Sequence, residues 1–303
     1  MKKKLPTISA DFPYESKFVD VLDSKIHYIE QGSGTPIIFL HGMPTSNYIW
    51  RNIIPFMSPL GRCIAPDLIG MGKSGKPEIE YTIDDHINYI EKFIETLNLK
   101  HIIIIMHGWG SMIGFNYAMQ HEKNCRGLVF YEAHLRPSNE ENFSLPLQEQ
   151  ISYLEEKGDS FDILMNGAKF IEHVMPQGMI RNLSEKEMNF YQEPFLAKGS
   201  GKVLHQYKKE LLNNDGKGTM NKIISRYSQK LITSYLPKLM LYSMPGFITT
   251  VATLMWAKEN LLNLEIAEVG EDLHYIQESN PSLMGEIISV WLQGLENNDE
   301  EKI

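Results

Sequence analysis

The sequence predicts an α/β fold: a mostly parallel central sheet with helices on both faces and a helical cap inserted between two of its strands. Three observations predict it. Ile102-Ile103-Ile104-Ile105 would bury both faces of a short strand, as at the centre of a parallel sheet covered on both sides. Strand-length apolar runs alternate with amphipathic helical segments before and after it, and repeated βα units imply parallel strands. From Pro137 to Tyr235 the strand signal vanishes and helical segments rich in Met, Leu and aromatics take over. The expected division is a core of residues 1–136 and 236–303 around a cap of residues 137–235.

In chain order, Phe18–Leu22 and Ile26–Glu30 alternate with period two around Asp23-Ser24-Lys25, an antiparallel edge hairpin. Pro36–Leu40 is a buried strand ending at His41-Gly42-Met43-Pro44, where open parallel sheets place their ligands. Ser46 can cap a helix running through Trp50 to Met57, and Arg62–Asp67 is the next strand. Gly72-Lys73-Ser74 imitates a phosphate-binding loop. That pattern needs a glycine where Asp67 stands and a helix where Pro77 intervenes, so it is set aside. Ile83–Leu97 carries apolar residues at helical spacing, and Arg126–Glu132 is a strand ending on a carboxylate. Beyond the cap come the strand Lys238–Ser243, a helix near Thr250–Glu259, the strand Leu264–Val269 and a helix after Pro281. The tail Glu296–Lys302 reads as disordered.

The chain of 303 residues is long enough to bury about 75% of its unfolded surface. A net charge of −9, with no basic block longer than Lys2-Lys3-Lys4, argues against a nucleic-acid partner. Apolar runs are strand-sized and no signal region follows the N-terminal lysines, so a cytoplasmic protein without a membrane span is expected. Cys63 and Cys125 sit in apolar stretches and read as buried thiols. The ten histidines show no metal-ligand spacing, and neither metal nor cofactor is expected.

The run from Ile102 to Ala118 has the strand, sharp turn and helix of a nucleophile elbow, where a strained turn lifts one side chain to the top of an α/β-hydrolase sheet. In Met106-His107-Gly108-Trp109-Gly110 the nucleophile position is Gly108, which has no side chain to attack with. Glycine is also the replacement that holds a turn of positive φ at least conformational cost.

Several motifs resemble the haloalkane dehalogenases: His41-Gly42-Met43-Pro44-Thr45-Ser46, Pro66-Asp67-Leu68-Ile69-Gly70-Met71-Gly72-Lys73-Ser74, His107-Gly108-Trp109-Gly110-Ser111 and Leu273-His274-Tyr275. The resemblance runs from about Phe18 to Leu295 and extends to the related coelenterazine-dependent luciferases. It implies an α/β-hydrolase core, a helical cap and a buried apolar pocket between them. In that family an aspartate displaces halide from carbon, a histidine activates water against the resulting ester, and a carboxylate orients the histidine. An asparagine and a tryptophan hold the departing halide.

Carried onto this chain, the base is His274, its orienting acid Glu132, and the halide-binding tryptophan Trp109. Gly108 stands at the nucleophile and Met43 at the halide-holding asparagine. Ser111 lies one helical turn past the elbow, where the family also carries serine, and is not expected to substitute. His41, Phe170, Met175, Phe195, Phe247 and Tyr275 are expected to line the pocket, with Met165, Met179, Met188 and Tyr191 giving the cap an adaptable apolar character. The cap segment Leu204–Leu211 lacks the proline-containing pattern of dehalogenases.

Two classes of function follow. In the first, the His274/Glu132 dyad acts as a general acid/base without a covalent intermediate, driving elimination, isomerisation, cyclisation or water activation on a lipophilic small molecule. Loss of the aspartate should lower the His274 pKa. In the second, the pocket binds small molecules without chemistry. A dehalogenase whose nucleophile was removed by engineering is a further alternative, opposed by the departures at Met43 and in the cap.

Overall fold

The computed structural model describes residues 8–137, 144–157, 166–212 and 218–300. Lys2-Lys3-Lys4, Met165, Glu301 and Lys302 lie outside them. Eight strands form one sheet, ordered β1-β2-β4-β3-β5-β6-β7-β8: β1 is Lys17–Val21, β2 Ser24–Gln31, β3 Pro36–Leu40, β4 Arg62–Pro66, β5 Ile102–Gly108, β6 Cys125–Ala133, β7 Lys238–Pro245 and β8 Leu264–Asp272. The β1/β2 and β2/β4 pairs are antiparallel, and the strands from β4 to β8 run parallel. Every residue of β5 is buried, with Ile103 opposite Ile37 of β3 and Gly127 of β6. The isoleucine run therefore packs helices on both sides, which only apolar side chains satisfy.

Three expectations need correction. The β1–β2 turn is shorter than Asp23-Ser24-Lys25: Val21 pairs with Ser24, and Leu22 takes a positive φ of 53° to close it. Ser46 accepts from the Tyr48 N–H, but it caps only the short 3₁₀ turn Asn47–Trp50. The α-helix is the separate Ile54–Met57, because Pro55 has no N–H and fits only in a helix's first turn. Finally, the last helix runs from Pro281 to Glu300 and takes in Glu296, Asp299 and Glu300. Trp291 and Leu295 of this helix pack on Gly127, where an added Cβ would lie 2.8 Å from the indole. That docking carries the helix through a stretch whose composition alone is polar.

The glycine-rich loop wraps a carboxylate of the protein itself. Asp67 accepts from Asn47 N at 2.7 Å, from Lys73 N at 2.8 Å and from His27 Nδ1 at 2.7 Å. A Cβ on Gly72 would stand 2.2 Å from the Asp67 carboxylate, so the glycine serves close approach to that side chain. Cys63 and Cys125 are buried free thiols, each pushed up to about 12 by burial.

Between β6 and β7 the described residues form only helices, among them Leu145–Lys157, Gly167–Val174, Glu185–Gln192, Lys202–Leu212 and Thr219–Thr233. A buried ionic cluster ties this segment to the sheet. Arg51 donates to Glu278 at 2.5 and 2.7 Å and to Glu187 at 2.9 Å. Arg181 bonds the same two carboxylates at 2.7 and 2.8 Å. Glu278→Ala would leave the Arg51 guanidinium, whose side chain is 0% exposed, with only Glu187 as a carboxylate partner. Breaking a buried pair from one side costs about 3–5 kcal/mol; with Glu187 retained, urea denaturation is expected to show a loss of about 3 kcal/mol. No described helix is long and apolar enough to cross a membrane.

Candidate active site

The central strand delivers a glycine to the site. β5 ends on Gly108, which caps the helix Trp109–Gln120 at φ 51° and ψ −123°, a conformation that side-chain-bearing residues rarely adopt. An ideal Cβ there would lie 3.3 Å from His274 Nε2 and 3.4 Å from its Cε1. Ser111 is occupied elsewhere: its hydroxyl donates to Gly108 O at 2.6 Å and accepts from His134 N at 3.0 Å. It braces the elbow against the end of β6.

His274 follows β8 by two residues, and its Nδ1 lies 3.1 Å from Glu132 Oε2. Glu132, at φ 49° near the end of β6, also accepts backbone N–H groups from Phe247 at 3.1 Å, Ile248 at 2.5 Å and Thr249 at 3.1 Å. While Glu132 is ionised it can only accept, so Nδ1 carries the imidazole proton and Nε2 keeps its lone pair. That lone pair points to the space beside Gly108. The backbone that carries the ring is fixed by three bonds: His274 N and Tyr275 N donate to Gly178 O at 2.7 and 3.2 Å, while His107 Nε2 donates to His274 O at 2.9 Å. Burial pushes His274 down to about 3, and the cause is desolvation. Burial also pushes Glu132 up to about 7 against the opposing pull of its three backbone donors.

The cavity over these groups measures about 30 Å³, room for about one or two waters. Met43, Trp109, Phe247, Tyr275 and His274 line it from the sheet side. His41, Phe170, Met175 and Phe195 do not, which corrects the sequence reading. His41 is spent on bracing two loops, its Nδ1 donating to Gly42 O at 2.8 Å and its Nε2 accepting from Leu68 N at 2.9 Å. Phe170 is fully buried within the helical segment, and Val174, one turn on, faces the cavity instead. Phe195 packs on Gly167 at the same level, and Met175 is likewise enclosed.

The lining residues that the sequence reading missed include three with polar side chains: His134, Gln150 and Tyr207. Each carried a signal. His134 follows directly on the carboxyl end of β6, the edge of a parallel sheet where ligands bind. Gln150 follows Leu147 by three and Tyr207 precedes Leu211 by four, and both leucines also line the cavity. The Trp109 indole N–H is buried and has no partner among the described residues.

Known proteins share this frame. Residues 35–163 match the α/β-hydrolase fold family. A haloalkane dehalogenase of Mesorhizobium japonicum is 34% identical over 295 residues, 96% of this chain and 95% of that protein. A coelenterazine h 2-monooxygenase of Renilla reniformis is 33% identical, covering 94% of this chain and 92% of its own length. The crystal structure of a haloalkane dehalogenase from Agrobacterium tumefaciens superposes with a TM-score of 0.86 at 30% identity, over 96% of this chain and all of that one. Identity at this level along nearly the whole length, on the same parallel sheet, means that the chain belongs to the haloalkane dehalogenase family of α/β hydrolases.

Proposed function

We propose that this chain is a member of that family in which covalent catalysis has been dropped, and that His274 acts as a general base, oriented by Glu132, on a lipophilic small molecule. Gly108 occupies the position of the attacking aspartate, and Met43 that of the asparagine that holds halide. The observation that carries the reading is the free Nε2 of His274 at the empty Cβ position of Gly108, with Nδ1 anchored on a buried carboxylate. A side chain retained only for packing has no need of that anchor. Nε2 can take a proton from a substrate C–H bond, leading to elimination, isomerisation or cyclisation, or from a water standing beside Gly108. The helical wall, with Leu147, Leu211 and the pliable Met220, must yield for substrate to enter a space this small. The coelenterazine relative is a precedent for chemistry other than dehalogenation on this frame.

Exchange of the α protons of cyclopentanone in D₂O, followed by proton NMR, tests the base directly. Exchange above the buffer rate that vanishes in His274→Ala is expected. A second reading, binding without chemistry, is favoured by the tightness of the cavity, and it predicts exchange at the buffer rate in every variant.

The missing carboxylate makes a separate prediction. Incubation with 1-bromohexane should leave the intact mass unchanged, because no side chain at residue 108 can form an alkyl ester. A stable mass increase located on the elbow peptide would refute the assignment of Gly108.

A further inference from the structure

His134 stands in the cavity without a task in this reading. Its backbone is pinned on both sides, N donating to Ser111 Oγ at 3.0 Å and O accepting from the Tyr227 hydroxyl. Its ring lines the same small space as His274 and Tyr207. Both residues are half-buried, and among the described residues no hydrogen bond is made by either His134 ring nitrogen or by the Tyr207 hydroxyl. Polar atoms left free at a cavity wall are available to a ligand, which an apolar packing residue would not be. Burial holds His134 down to about 4, and the neighbouring His274 opposes its protonation further. The cavity therefore contains two neutral imidazoles: His274 with a lone pair directed inward, and His134 with an N–H to give.

We propose that His134 is a second catalytic residue, donating a hydrogen bond and then a proton to a carbonyl oxygen of the substrate while His274 removes a proton from the adjacent carbon. This rests on the general-base reading of His274, and it narrows the substrate to an enolisable carbonyl compound with an otherwise apolar body. The C–H bond breaks, its proton goes to His274 Nε2, and its electron pair forms the enol C=C bond. The carbonyl π pair moves to oxygen, which takes the His134 proton. Return of a proton from His274 to that carbon, as His134 recovers its own from the enol, completes an α-proton exchange with no net change in either imidazole, and its delivery to another carbon of the enol system would complete an isomerisation. No oxidant, metal or co-reactant is required. A neutral imidazole serves well as the electrophile, since it polarises the oxygen without placing a cation beside the base. The Tyr207 hydroxyl and the Trp109 indole N–H add donors for the oxygen, whereas Leu147, Val174 and Leu211 offer an apolar wall.

The test uses the same cyclopentanone exchange on the full-length protein with His134→Leu and His134→Gln. Removing one preorganised donor typically costs ~10²–10³ in rate, so His134→Leu should lose about that factor in kcat with KM little changed. His134→Gln should recover part of it, because its amide can donate a hydrogen bond and cannot pass the proton. Should His134→Leu fail to fold, the ring ¹⁵N resonances of His134 in the wild-type protein, titrated with cyclopentanone, take its place: a shift on binding supports the assignment, and none overturns it. If His134→Leu exchanges as fast as wild type while His274→Ala is inactive, the second-imidazole assignment fails and the dyad reading stands. If the wild-type protein does not exceed the buffer rate, both fail.

Discussion

Gly108→Asp is expected to convert this protein into a slow dehalogenase, and Gly108→Asp with Met43→Asn into a faster one by a factor of roughly 10²–10³. The first substitution restores an attacking carboxylate whose Cβ sits 3.3 Å from the histidine that must later activate water. It carries a conformational penalty, because residue 108 holds a φ of 51° and a side-chain-bearing residue in such a region costs about 1–3 kcal/mol. Glycine-to-aspartate exchange should lower the melting temperature without abolishing the fold. The carboxylate alone leaves the departing halide with a single donor, the unpartnered Trp109 indole, since the Met43 thioether cannot donate. Asparagine supplies the second donor and, being smaller than methionine, enlarges a cavity of about 30 Å³. Met43→Asn by itself should be inactive for want of a nucleophile. Bromide release from 1-bromobutane by the three variants is the measurement. Ordinary enzymatic turnover by Gly108→Asp alone would make Met43 incidental and favour removal of the nucleophile by engineering. An inactive but folded double variant would show that the helical wall has been rebuilt for another substrate.

Much of this architecture was legible because it follows from local rules. The isoleucine run, the glycine-bracketed elbow and the strand-ending Glu132 each state their own environment, and all three stand where the sequence places them. The dyad was legible through the motif around His274 and the carboxylate near the end of β6. What escaped was governed by tertiary packing. Phe170 and Val174 lie on the same apolar helix face, and periodicity cannot tell which of two residues one turn apart meets the cavity and which meets a neighbouring helix. His41 looked like a pocket residue because it follows a strand's carboxyl end, but its two ring nitrogens are consumed by backbone partners 27 residues apart or less. The C-terminal helix outlasted its polar composition because Trp291 and Leu295 anchor it on the surface left open by Gly127. Cavity volume is not a property of sequence at all: the same lining residues could surround a space several times larger.

His274→Ala is expected to lower cyclopentanone exchange by ~10²–10⁴, the usual contribution of a positioned general base, with the fold retained. The pH dependence then identifies which partner of the dyad sets the working range. Catalysis needs a proton on His274 Nδ1 and a lone pair on Nε2, which the ionised Glu132 enforces as acceptor. Protonated Glu132 would donate to Nδ1 and drive the ring proton to Nε2, silencing the base without charging it. Burial raises Glu132 from the ordinary 4.5 to about 7, so the proton binds as pH falls through neutrality. Burial lowers His274 to about 3, so imidazolium formation lies below that window. Activity in kcat/KM should therefore rise through about pH 7 and level off above it, reporting an apparent pKa of the pair dominated by the carboxyl. Glu132→Gln separates the two assignments. The amide cannot ionise, so the limb near neutrality should disappear and leave a low, flat rate. Stability gives an independent sign check. A carboxyl raised from 4.5 to about 7 binds its proton more tightly in the folded protein, so its contribution is fully present below pH 4.5 and lost as pH rises through 7. Against that background Glu132→Gln should narrow the stability difference between pH 5 and pH 8 as it flattens the rate. A limb near neutrality that survives in Glu132→Gln would transfer the titration to the imidazole and overturn the assignment of the carboxyl as the switch.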